Sequence, residues 1–573
     1  MPLGTFDRNE NIASLAEGTY DVLIIGGGIT GAGAALDAAS RGLRTALVER
    51  DDFASGTSSK SSKLIHGGLR YLQNGDVRLV YEALRERQRL LRNAPHLVTV
   101  LPFLIPVFEG KGGIIPKRLA RALGSAMWMY DLTGGLRIGK RHRRLDRDAA
   151  LAHMPMLGER LAWAYLYYDA QADDARLTLT VARTAALDFG ATVVNHAAVT
   201  AVVKDDSDRI AGAIVDAGAA SGEIEVRAKV VINATGVWAD DVRALDEGTN
   251  PNSIRPAKGI HIAVPWHKLR NDIAAVVPVR QDRRSVFVVP WPARGGGRDE
   301  GDPLDGSGDG GRVTYIGTTD TDYDGDVDDP QCTPEDVAYL LDAINHAISE
   351  PLEVSDVLGT WAGLRPLVRD ASNSRTADLS RRHQVRTSAA GMVTVTGGKL
   401  TTYREMAEDA VDAASRALAS AGEPLPRRAR RSRTRSLPLR GAAGWREARK
   451  RDAHLAGRYG GEAAVVEAMI AADPTMGEAL VPGLFYRRAE ALYAARYEMA
   501  VTVDDVLSRR TRCRLLGRDA TAAAARDVAE LLAMELGWSE AERAAEVDRF
   551  QAALAHERDV PGLPENMTVA GSG

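Results

Sequence analysis

The sequence predicts an α/β protein in which a nucleotide-binding domain is assembled from separate stretches of chain. The first observation is the apolar run Val22–Ile25, which leads directly into the glycine-rich turn Gly26–Gly31. The second is an alanine-rich segment that opens a helix at Ala32, and the third is the short strand-like run Thr45–Glu49. Strand, glycine turn, helix and strand in this order are typical of a Rossmann-like dinucleotide-binding unit.

Each glycine of this turn has a different structural role. Gly26 permits the tight turn, Gly28 lets a pyrophosphate approach the backbone, and Gly31 lets helix and strand pack closely. The helix N-terminus then faces the phosphates. Glu49 follows Gly31 by 18 residues, where an acidic side chain can hold a ribose diol. The alternative is a glycine-rich connection without a ligand, but the order of the elements favours the nucleotide.

Two later stretches complete this domain. In one of them, Asp173–Leu177 opens a long helix and the buried strand at Val230–Gly236 closes the stretch. The other, Val393–Tyr403, reads as a strand, a tight glycine turn and a helix, and it offers a second anion-binding helix N-terminus. We therefore expect a discontinuous nucleotide-binding domain that consists of residues 20–75, 172–250 and 355–420.

The remaining chain predicts two further parts. Alternating patterns, as in Ile260–Val264, indicate an antiparallel β-rich substrate domain over 76–171 and 251–354, with a flexible loop at 295–311. Residues 421–441 are expected to form a solvated linker that is rich in arginine and proline. Segments rich in Ala, Glu, Arg and Leu then predict an all-α domain over 442–560.

Composition excludes several classes of protein. The chain has 573 residues, a net charge of -4 and a pI near 6.3, which disfavour a nucleic-acid binder. Cys332 and Cys513 are the only cysteines, so we expect neither a disulfide framework nor a metal centre. The leader Met1–Glu17 is polar, and no apolar stretch is long enough to span a membrane. We expect a cytoplasmic protein that is at most peripheral to a membrane.

The run Ser61–Leu72 carries the most chemical information. It combines two hydroxyls, a lysine, a histidine, paired glycines and an arginine within twelve residues. Glycines let main chain lie close to a ligand, and the cations and the imidazole suit an anionic group. The run therefore predicts backbone that lies against a planar cofactor.

Several motifs in sequence resemble those of the FAD-dependent glycerol-3-phosphate dehydrogenases. They span about residues 20 to 550 and consist of Gly26–Gly31, Ser58–Leu72, Lys258–His261, Ile316–Asp320, Gly363–Leu367 and Gly397–Arg404. The segment from Tyr497 to Arg512 is similar to the helical cap domain of the same group. Ile260 stands where a small polar residue is common, and the 295–311 loop is longer than expected.

The resemblance implies an FAD enzyme that oxidises sn-glycerol 3-phosphate to dihydroxyacetone phosphate by hydride transfer to the flavin and passes the electrons to a membrane quinone. Such a reaction needs cations for the phosphate and a base for the hydroxyl proton. By resemblance, Arg70, Arg365 and Lys399 form the substrate clamp with Tyr71. A structural ion pair is the alternative for Arg70. We expect Arg365 to lie in an extended turn before Pro366.

The base is expected to be His66 or His261, with His261 preferred. Thr319 and Asp320 would orient the substrate or the histidine, although Asp320 could equally form an Asx turn. The resemblance places the flavin between two further sets of residues. These are Ser58, Ser59, Ser62, Lys63, Leu64 and Ile65 on one side, and Ala234, Gly236, Gly398, Lys399, Leu400 and Thr401 on the other.

A basic amphipathic helix within 117–144 is a candidate membrane contact, and packing on a neighbouring domain is the alternative. A homodimer is also expected as one alternative for the oligomeric state. Three other functions compete with the quinone-linked enzyme: an oxidase that uses oxygen, an amino-acid oxidoreductase of the same fold, and an interaction protein that acts through Arg427–Arg435.

Overall fold

Two β-sheets organise the computed structural model, which describes residues 6–68, 77–109, 140–218, 221–279, 284–291, 312–369 and 382–558. The strands in these ranges are, in chain order, β1 (Thr19–Ile25), β2 (Thr45–Val48), β3 (Leu64–Ile65), β4 (Thr99–Phe108), β5 (Arg143–Leu145), β6 (Leu161–Gln171), β7 (Thr192–Val194), β8 (Ala198–Lys204), β9 (Ile210–Asp216), β10 (Glu223–Asn233), β11 (Ile254–Pro265), β12 (Ala274–Pro278), β13 (Ser285–Trp291), β14 (Val313–Gly317), β15 (Thr321–Asp322), β16 (Gly359–Val368), β17 (Gln384–Thr387) and β18 (Val393–Thr396).

The helices pack around these sheets and form the C-terminal part of the chain. They are α1 (Arg8–Leu15), α2 (Ile29–Ser40), α3 (Val77–Asn93), α4 (Arg147–His153), α5 (Asp174–Phe189), α6 (Ala239–Glu247), α7 (Pro334–Asn345), α8 (Tyr403–Ser420), α9 (Trp445–Arg451), α10 (Ala453–Tyr459), α11 (Ala463–Ala472), α12 (Arg488–Glu498), α13 (Cys513–Leu516), α14 (Arg518–Leu536) and α15 (Glu540–Arg558). None of those within the described ranges combines the length and the apolar character that crossing a bilayer requires.

The first sheet has the order β17-β18-β10-β1-β2-β7, with the β8–β9 hairpin attached to β10. β1 runs parallel to both β2 and β10, and Ile25 is level with Val48 and Asn233. The carboxyl ends of three strands therefore meet at one edge, which is where parallel α/β sheets bind ligands. Helices α2, α5 and α8 share one apolar core with this sheet, through residues such as Ile24, Leu36, Leu177, Val181 and Met406.

The second sheet has the order β15-β11-β14-β13-β12-β4-β6-β3, and β16 pairs antiparallel with β11. This pairing corrects the expected domain boundary. Residues 359–368 belong to the second sheet and not to the nucleotide-binding stretch that was predicted to begin at 355. The short strand β3, also expected in the first domain, pairs with β6 of the second sheet. Backbone hydrogen bonds with these partners outweigh the local pattern.

The arginine-rich segment after α8 packs more tightly than a solvated linker would. Ala429 and Thr434 are buried. The Thr434 and Ser432 hydroxyls donate hydrogen bonds to Asp37 on α2, and Arg435 pairs with Glu408 on α8 at 2.7 Å. The segment therefore follows the first domain closely before the C-terminal helices begin. Together the sheets and helices confirm the predicted fold class, in which a C-terminal helical domain follows the α/β part.

Candidate active site

Two positions of the glycine turn at the end of β1 leave no room for a side chain. Gly26 has a φ of +105°, and a Cβ there would lie 2.8 Å from the carbonyl oxygen of Ala234. A Cβ at Gly31 would lie 1.8 Å from the carbonyl oxygen of Gly26. Both contacts are far inside van der Waals distance, so positions 26 and 31 can be occupied only by glycine.

The N-terminus of α2 suits an anion. Gly28 is its N-cap and offers no side-chain cap, and no acidic residue occupies the first turn. One amide, that of Ile29, donates to the Ser58 hydroxyl at 2.9 Å. A helix begun this way directs its dipole and its amide groups at whatever lies beyond the turn. These features fit the pyrophosphate of a bound dinucleotide, and they place Ser58 beside it.

Glu49 lies at the same edge, immediately after β2. Its carboxylate accepts hydrogen bonds from the amides of Gly27 at 2.5 Å and of Asp51 at 2.9 Å. Burial nevertheless raises the pKa of Glu49 to about 7. The predicted ribose ligand therefore lies next to the predicted phosphate turn, as a dinucleotide requires.

The run 61–68 and the turn after β18 are joined directly. The Thr401 hydroxyl accepts a hydrogen bond from the His66 amide at 3.1 Å. Gly398 has a φ of +86°, and a Cβ there would lie 2.4 Å from the Met406 sulfur. Lys399 precedes the 3-10 turn Leu400–Thr402 that leads into α8. Two stretches more than 330 residues apart in sequence thus form adjacent walls.

Other predicted cofactor residues take up positions around these walls. Leu64 and Ile65 form β3 and are buried. Ala234 donates its amide to Ile25 at 2.9 Å and thereby closes the end of β10 onto β1. Gly236 has a φ of +65° and opens the following 3-10 turn. The first sheet therefore brings the segment after β10, which contains Gly236, to the same edge as the glycine turn after β1.

Lys63, another predicted cofactor residue, has a side chain that is bound within the protein. Its ammonium group is buried, donates to Asp174 at 3.0 Å and to the Ser59 carbonyl at 3.2 Å, and lies 5.0 Å from the Trp361 ring. Burial, with the nearby Arg512, lowers the pKa of Lys63 to about 8. Lys63 has a φ of +55°, which turns its side chain away from the direction that the flanking residues take.

His261 is the most enclosed of the candidate bases. It is 2% exposed, and its ring stacks on Trp361 with 4.8 Å between centroids. Nε2 lies 2.9 Å from the Ser62 hydroxyl, whereas Nδ1 is buried and has no hydrogen-bond partner among the described residues. Burial, together with the charges of Lys63 and Arg365, holds the pKa of His261 well below its usual value. The imidazole is therefore neutral at physiological pH.

His66 is half-buried and lies edge-on to Phe287, with 6.2 Å between ring centroids. Phe287 in turn lies edge-on to Phe103, with 6.1 Å between ring centroids. The structure therefore brings His66 to the wall next to Thr401, and it brings His261 to the second sheet. The two histidines stay separate candidates, each on its own element.

Arg365 lies within β16 and is not part of a turn, which corrects the sequence-based expectation. The guanidinium donates to the Asp320 carboxylate at 3.0 Å and to the Thr319 carbonyl at 3.2 Å. A Cβ at Gly259 would lie 2.6 Å from this guanidinium. Asp320 is thus an ion-pair partner of Arg365, whereas the Thr319 hydroxyl accepts from the Ile260 amide at 3.0 Å.

Two predicted clamp residues, Arg70 and Tyr71, lie outside the described residues, as do the 295–311 loop and most of the 117–144 segment. Of the latter, Arg143–Leu145 forms the edge strand β5, and Arg144 lies 4.4 Å from the Trp163 ring. The described part of the segment thus packs on β6.

Sequence reasoning missed several neighbours of the site. Arg284 donates to the carbonyl of Asp320 at 2.6 Å. Trp361 and Tyr315 enclose His261, with ring centroids 5.5 Å apart. The buried aromatic residues on these strands look like ordinary core residues in sequence, so no signal marks them. Arg284 could have been found, because it directly precedes a predicted strand of the substrate domain.

Two family models match the chain in the same order as its domains. Residues 21–404 match the model for FAD dependent oxidoreductases, and residues 432–543 match the C-terminal domain of alpha-glycerophosphate oxidase. The first match alone covers more than half of the chain. The fold and the nucleotide site therefore define an FAD-dependent oxidoreductase, and FAD is its cofactor.

Individual relatives narrow the family. Glycerol-3-phosphate dehydrogenase 2 of Mycobacterium tuberculosis is 39% identical over 584 residues, which cover 99% of this chain and 93% of that protein. The mitochondrial glycerol-3-phosphate dehydrogenase of Mus musculus is 37% identical over 580 residues, which cover 96% of this chain and 75% of that protein. The X-ray structure of the Bacillus halodurans glycerol-3-phosphate dehydrogenase complexed with FAD matches at a TM-score of 0.70 and 29% identity over 99% of both chains. The chain belongs to the FAD-dependent glycerol-3-phosphate dehydrogenase family, which confirms the resemblance.

Proposed function

We propose that this protein oxidises sn-glycerol 3-phosphate to dihydroxyacetone phosphate. The observation that carries the proposal is the close approach of a guanidinium and a neutral imidazole beside the nucleotide site. Arg365 contacts Thr318 at 3.3 Å, while a Cβ on the adjacent Gly317 would lie 2.1 Å from the His261 ring. The proposed phosphate contact and the proposed base therefore lie against two consecutive residues, Thr318 and Gly317.

The proposed base is His261. Its Nε2 lies 2.9 Å from the Ser62 hydroxyl; in the tautomer that carries the proton on Nε2, the lone pair is on Nδ1, the ring nitrogen that has no hydrogen-bond partner among the described residues. A neutral imidazole can take the proton of a secondary alcohol at this nitrogen. FAD, when bound, would accept the hydride from the carbon that bears this hydroxyl group.

Arg365 is the proposed contact for the phosphate, with Lys399 on the opposite wall and Arg70 and Tyr71 as further members predicted from sequence. Guanidinium groups bind phosphate oxygens through paired donors, which orients the substrate as well as attracting it. The Asp320 carboxylate pairs with this guanidinium, and Arg284 donates a hydrogen bond to the Asp320 carbonyl. The amino-acid alternative would instead present a carboxylate to Arg365, so the choice of substrate tests it directly.

Anaerobic bleaching of the bound flavin tests the proposed reaction. We expect sn-glycerol 3-phosphate to bleach the 450 nm absorption band of the flavin, while glycerol and lactate at equal concentration do not. Bleaching by lactate or by an amino acid in place of the phosphate ester would contradict the proposal. Flavins absorb near this wavelength irrespective of the protein, so the readout needs no added acceptor.

We further propose a membrane quinone as the electron acceptor. The match of residues 432–543 to the C-terminal domain of alpha-glycerophosphate oxidase favours a second candidate, which is transfer to oxygen. Reoxidation of the reduced enzyme separates them: fast reoxidation by a short-chain quinone without peroxide supports the first, and stoichiometric peroxide in air supports the second. Contact with a membrane through 117–144 and homodimer formation stay predictions, testable by vesicle sedimentation and by light scattering.

A further inference from the structure

One buried arginine connects the C-terminal domain to the loop that leads to His261. Arg512 follows the π-helical turn Asp505–Arg510 and is 1% exposed. Its Nη2 donates to the Asp174 carboxylate at 2.7 Å and also to the carbonyl of Ser59. Its Nη1 donates to the Ser508 carbonyl at 2.9 Å, which anchors the guanidinium in its own domain. Arg512 therefore holds both the start of α5 and the loop beside the nucleotide turn.

Asp174 connects Arg512 to the loop that contains Ser61 and Ser62. One carboxylate oxygen accepts from the Ser61 amide at 2.9 Å and from its hydroxyl at 2.7 Å. The other oxygen receives both Arg512 and the Lys63 ammonium. The backbone on either side of Ser62 is consequently held, because the Ser61 amide donates to this carboxylate and the Lys63 amide donates to the Ser61 hydroxyl at 3.0 Å.

Ser62 is the last member of the chain of contacts. The Tyr315 hydroxyl donates to its carbonyl at 2.9 Å, and the Trp361 indole donates to the preceding carbonyl of Ser61 at 3.3 Å. The Ser62 hydroxyl then lies 2.9 Å from His261 Nε2. The direction of this hydroxyl determines which ring nitrogen carries the proton.

We infer that Arg512 is a positioning residue for the oxidation, which acts through Asp174, Ser61 and Ser62 on His261. The inference rests on the proposed function, because it takes His261 as the base. It assigns the C-terminal domain a part in the reaction: the domain supplies the guanidinium that keeps the imidazole in its reactive orientation. Misplacing a catalytic group by about 1 Å can slow a reaction by about 100-fold.

Stability alone gives a weaker reason for this arginine. Lys63 is already bound to the Asp174 carboxylate at 3.0 Å, and two buried cations on one carboxylate repel each other. A buried ion pair often adds little net stability, because removing both charges from water offsets their attraction. What Arg512 adds over Lys63 is the planar, forked geometry that reaches Ser59, Asp174 and Ser508 at once.

The test uses the flavin-loaded full-length protein with Arg512→Met, which keeps an unbranched apolar stem, removes the guanidinium and leaves Asp174 paired with Lys63. We expect wild-type flavin content and a Kd for sn-glycerol 3-phosphate within about threefold of wild type. The rate constant for flavin bleaching at saturating substrate should fall by at least about tenfold. The matched control is Arg514→Met, which removes a partly buried arginine two residues away that pairs with Glu557 and Asp504 and, among the described residues, has no hydrogen bond to Ser59, Ser61 or Asp174.

A second readout needs no substrate. Diethyl pyrocarbonate acylates neutral imidazoles, and mass spectrometry of the peptide that contains His261 measures the rate. We expect faster modification of His261 in Arg512→Met than in wild type or Arg514→Met. If sn-glycerol 3-phosphate fails to bleach the wild type, the proposed function is wrong, whereas the modification rates still decide the inference.

Equal losses in Arg512→Met and Arg514→Met, or a wild-type bleaching rate in Arg512→Met, would overturn the inference. If Arg512→Met does not fold, Ser61→Ala takes its place, because it removes the 2.7 Å hydroxyl contact to Asp174 and alters no charge. Ser61→Ala should slow bleaching and speed the modification of His261 in the same direction. Unchanged values of both in that variant would also refute the link.

Discussion

Replacing Arg365 by alanine is expected to raise the Kd for sn-glycerol 3-phosphate by about 10²- to 10³-fold while FAD stays bound. Arg365 lies on β16 of the second sheet, whereas the proposed nucleotide contacts lie at the edge of the first. The substitution removes a guanidinium that donates to Thr318, Thr319 and Asp320 of the second sheet. The flavin site therefore keeps its own contacts, and the loss falls on the substrate.

The magnitude has two contributions. A hydrogen bond to a charged group contributes about 1.5–3 kcal/mol, and the variant loses the one that Arg365 makes to the phosphate. Asp320 also loses its partner at 3.0 Å. An unpaired carboxylate about 6 Å from a phosphate charge, at an effective dielectric constant of about 40, opposes binding by about 1.4 kcal/mol. The sum, about 3–4.5 kcal/mol, corresponds to the stated range at about 1.4 kcal/mol per tenfold.

The contribution of the unpaired Asp320 carboxylate can be measured separately. Adding Asp320→Asn to Arg365→Ala removes the unpaired carboxylate, so about tenfold of the lost affinity should return. Anaerobic titration of the flavin absorbance with substrate gives the Kd, and the ratio of flavin to protein absorbance gives the cofactor content. Arg255→Ala is the matched control, because Arg255 forms an arginine–aspartate pair with Asp322 at the edge of the same sheet. Any of three results would refute this placement of Arg365: loss of flavin from Arg365→Ala, an unchanged Kd in that variant, or no recovery of affinity in the double variant.

Three further predictions concern the cofactor and the base. Gly31→Ala should yield protein without flavin, because the new Cβ would lie 1.8 Å from the Gly26 carbonyl oxygen; a yellow variant would contradict the proposed turn. The pKa of Glu49 is raised to about 7, so FAD affinity of the flavin-free protein should rise about tenfold between pH 6 and 8 as the carboxylate ionises, and Glu49→Gln should remove that dependence in a fluorescence titration. The pKa of His261 lies well below its usual value, so the unfolded chain binds a proton below about pH 6.5 that the folded protein does not. Thermal stability should therefore fall more steeply with acid in wild type than in His261→Phe, and parallel curves would show that this imidazole titrates normally.

The nucleotide turn was predictable because its information is local. Gly26 and Gly31 are five residues apart, and the clash that requires glycine at position 31 is with the carbonyl oxygen of Gly26 itself. The helix that begins at Ile29 and the strand that ends at Val48 follow from the same short stretch. Spacing along the chain and geometry coincide there, so the sequence pattern is a reliable guide.

The proton site depends on contacts that sequence spacing does not reveal. Ser62 and His261 are 199 residues apart and meet at 2.9 Å. Gly359–Val368 contains Gly363 and Pro366, which favour a turn locally, yet antiparallel pairing with β11 makes it a strand. The resemblance places Lys63 in the run along the flavin, but it does not reveal that a carboxylate 111 residues away binds the Lys63 side chain. In each case a long-range partner decides the outcome.

The charges beside His261 couple substrate binding to base strength. Burial and the positive charges of Lys63 and Arg365 both disfavour the protonated imidazole, so in the absence of substrate His261 is neutral but a weak base. A phosphate dianion on Arg365 offsets one of these charges and thereby raises the pKa of the ring. In the proposed reaction, the substrate would thus strengthen the base that removes its own proton. Glycerol has the same hydroxyl groups without the phosphate, so it lacks this effect as well as the binding contact, and poor bleaching by glycerol has two physical causes that act together.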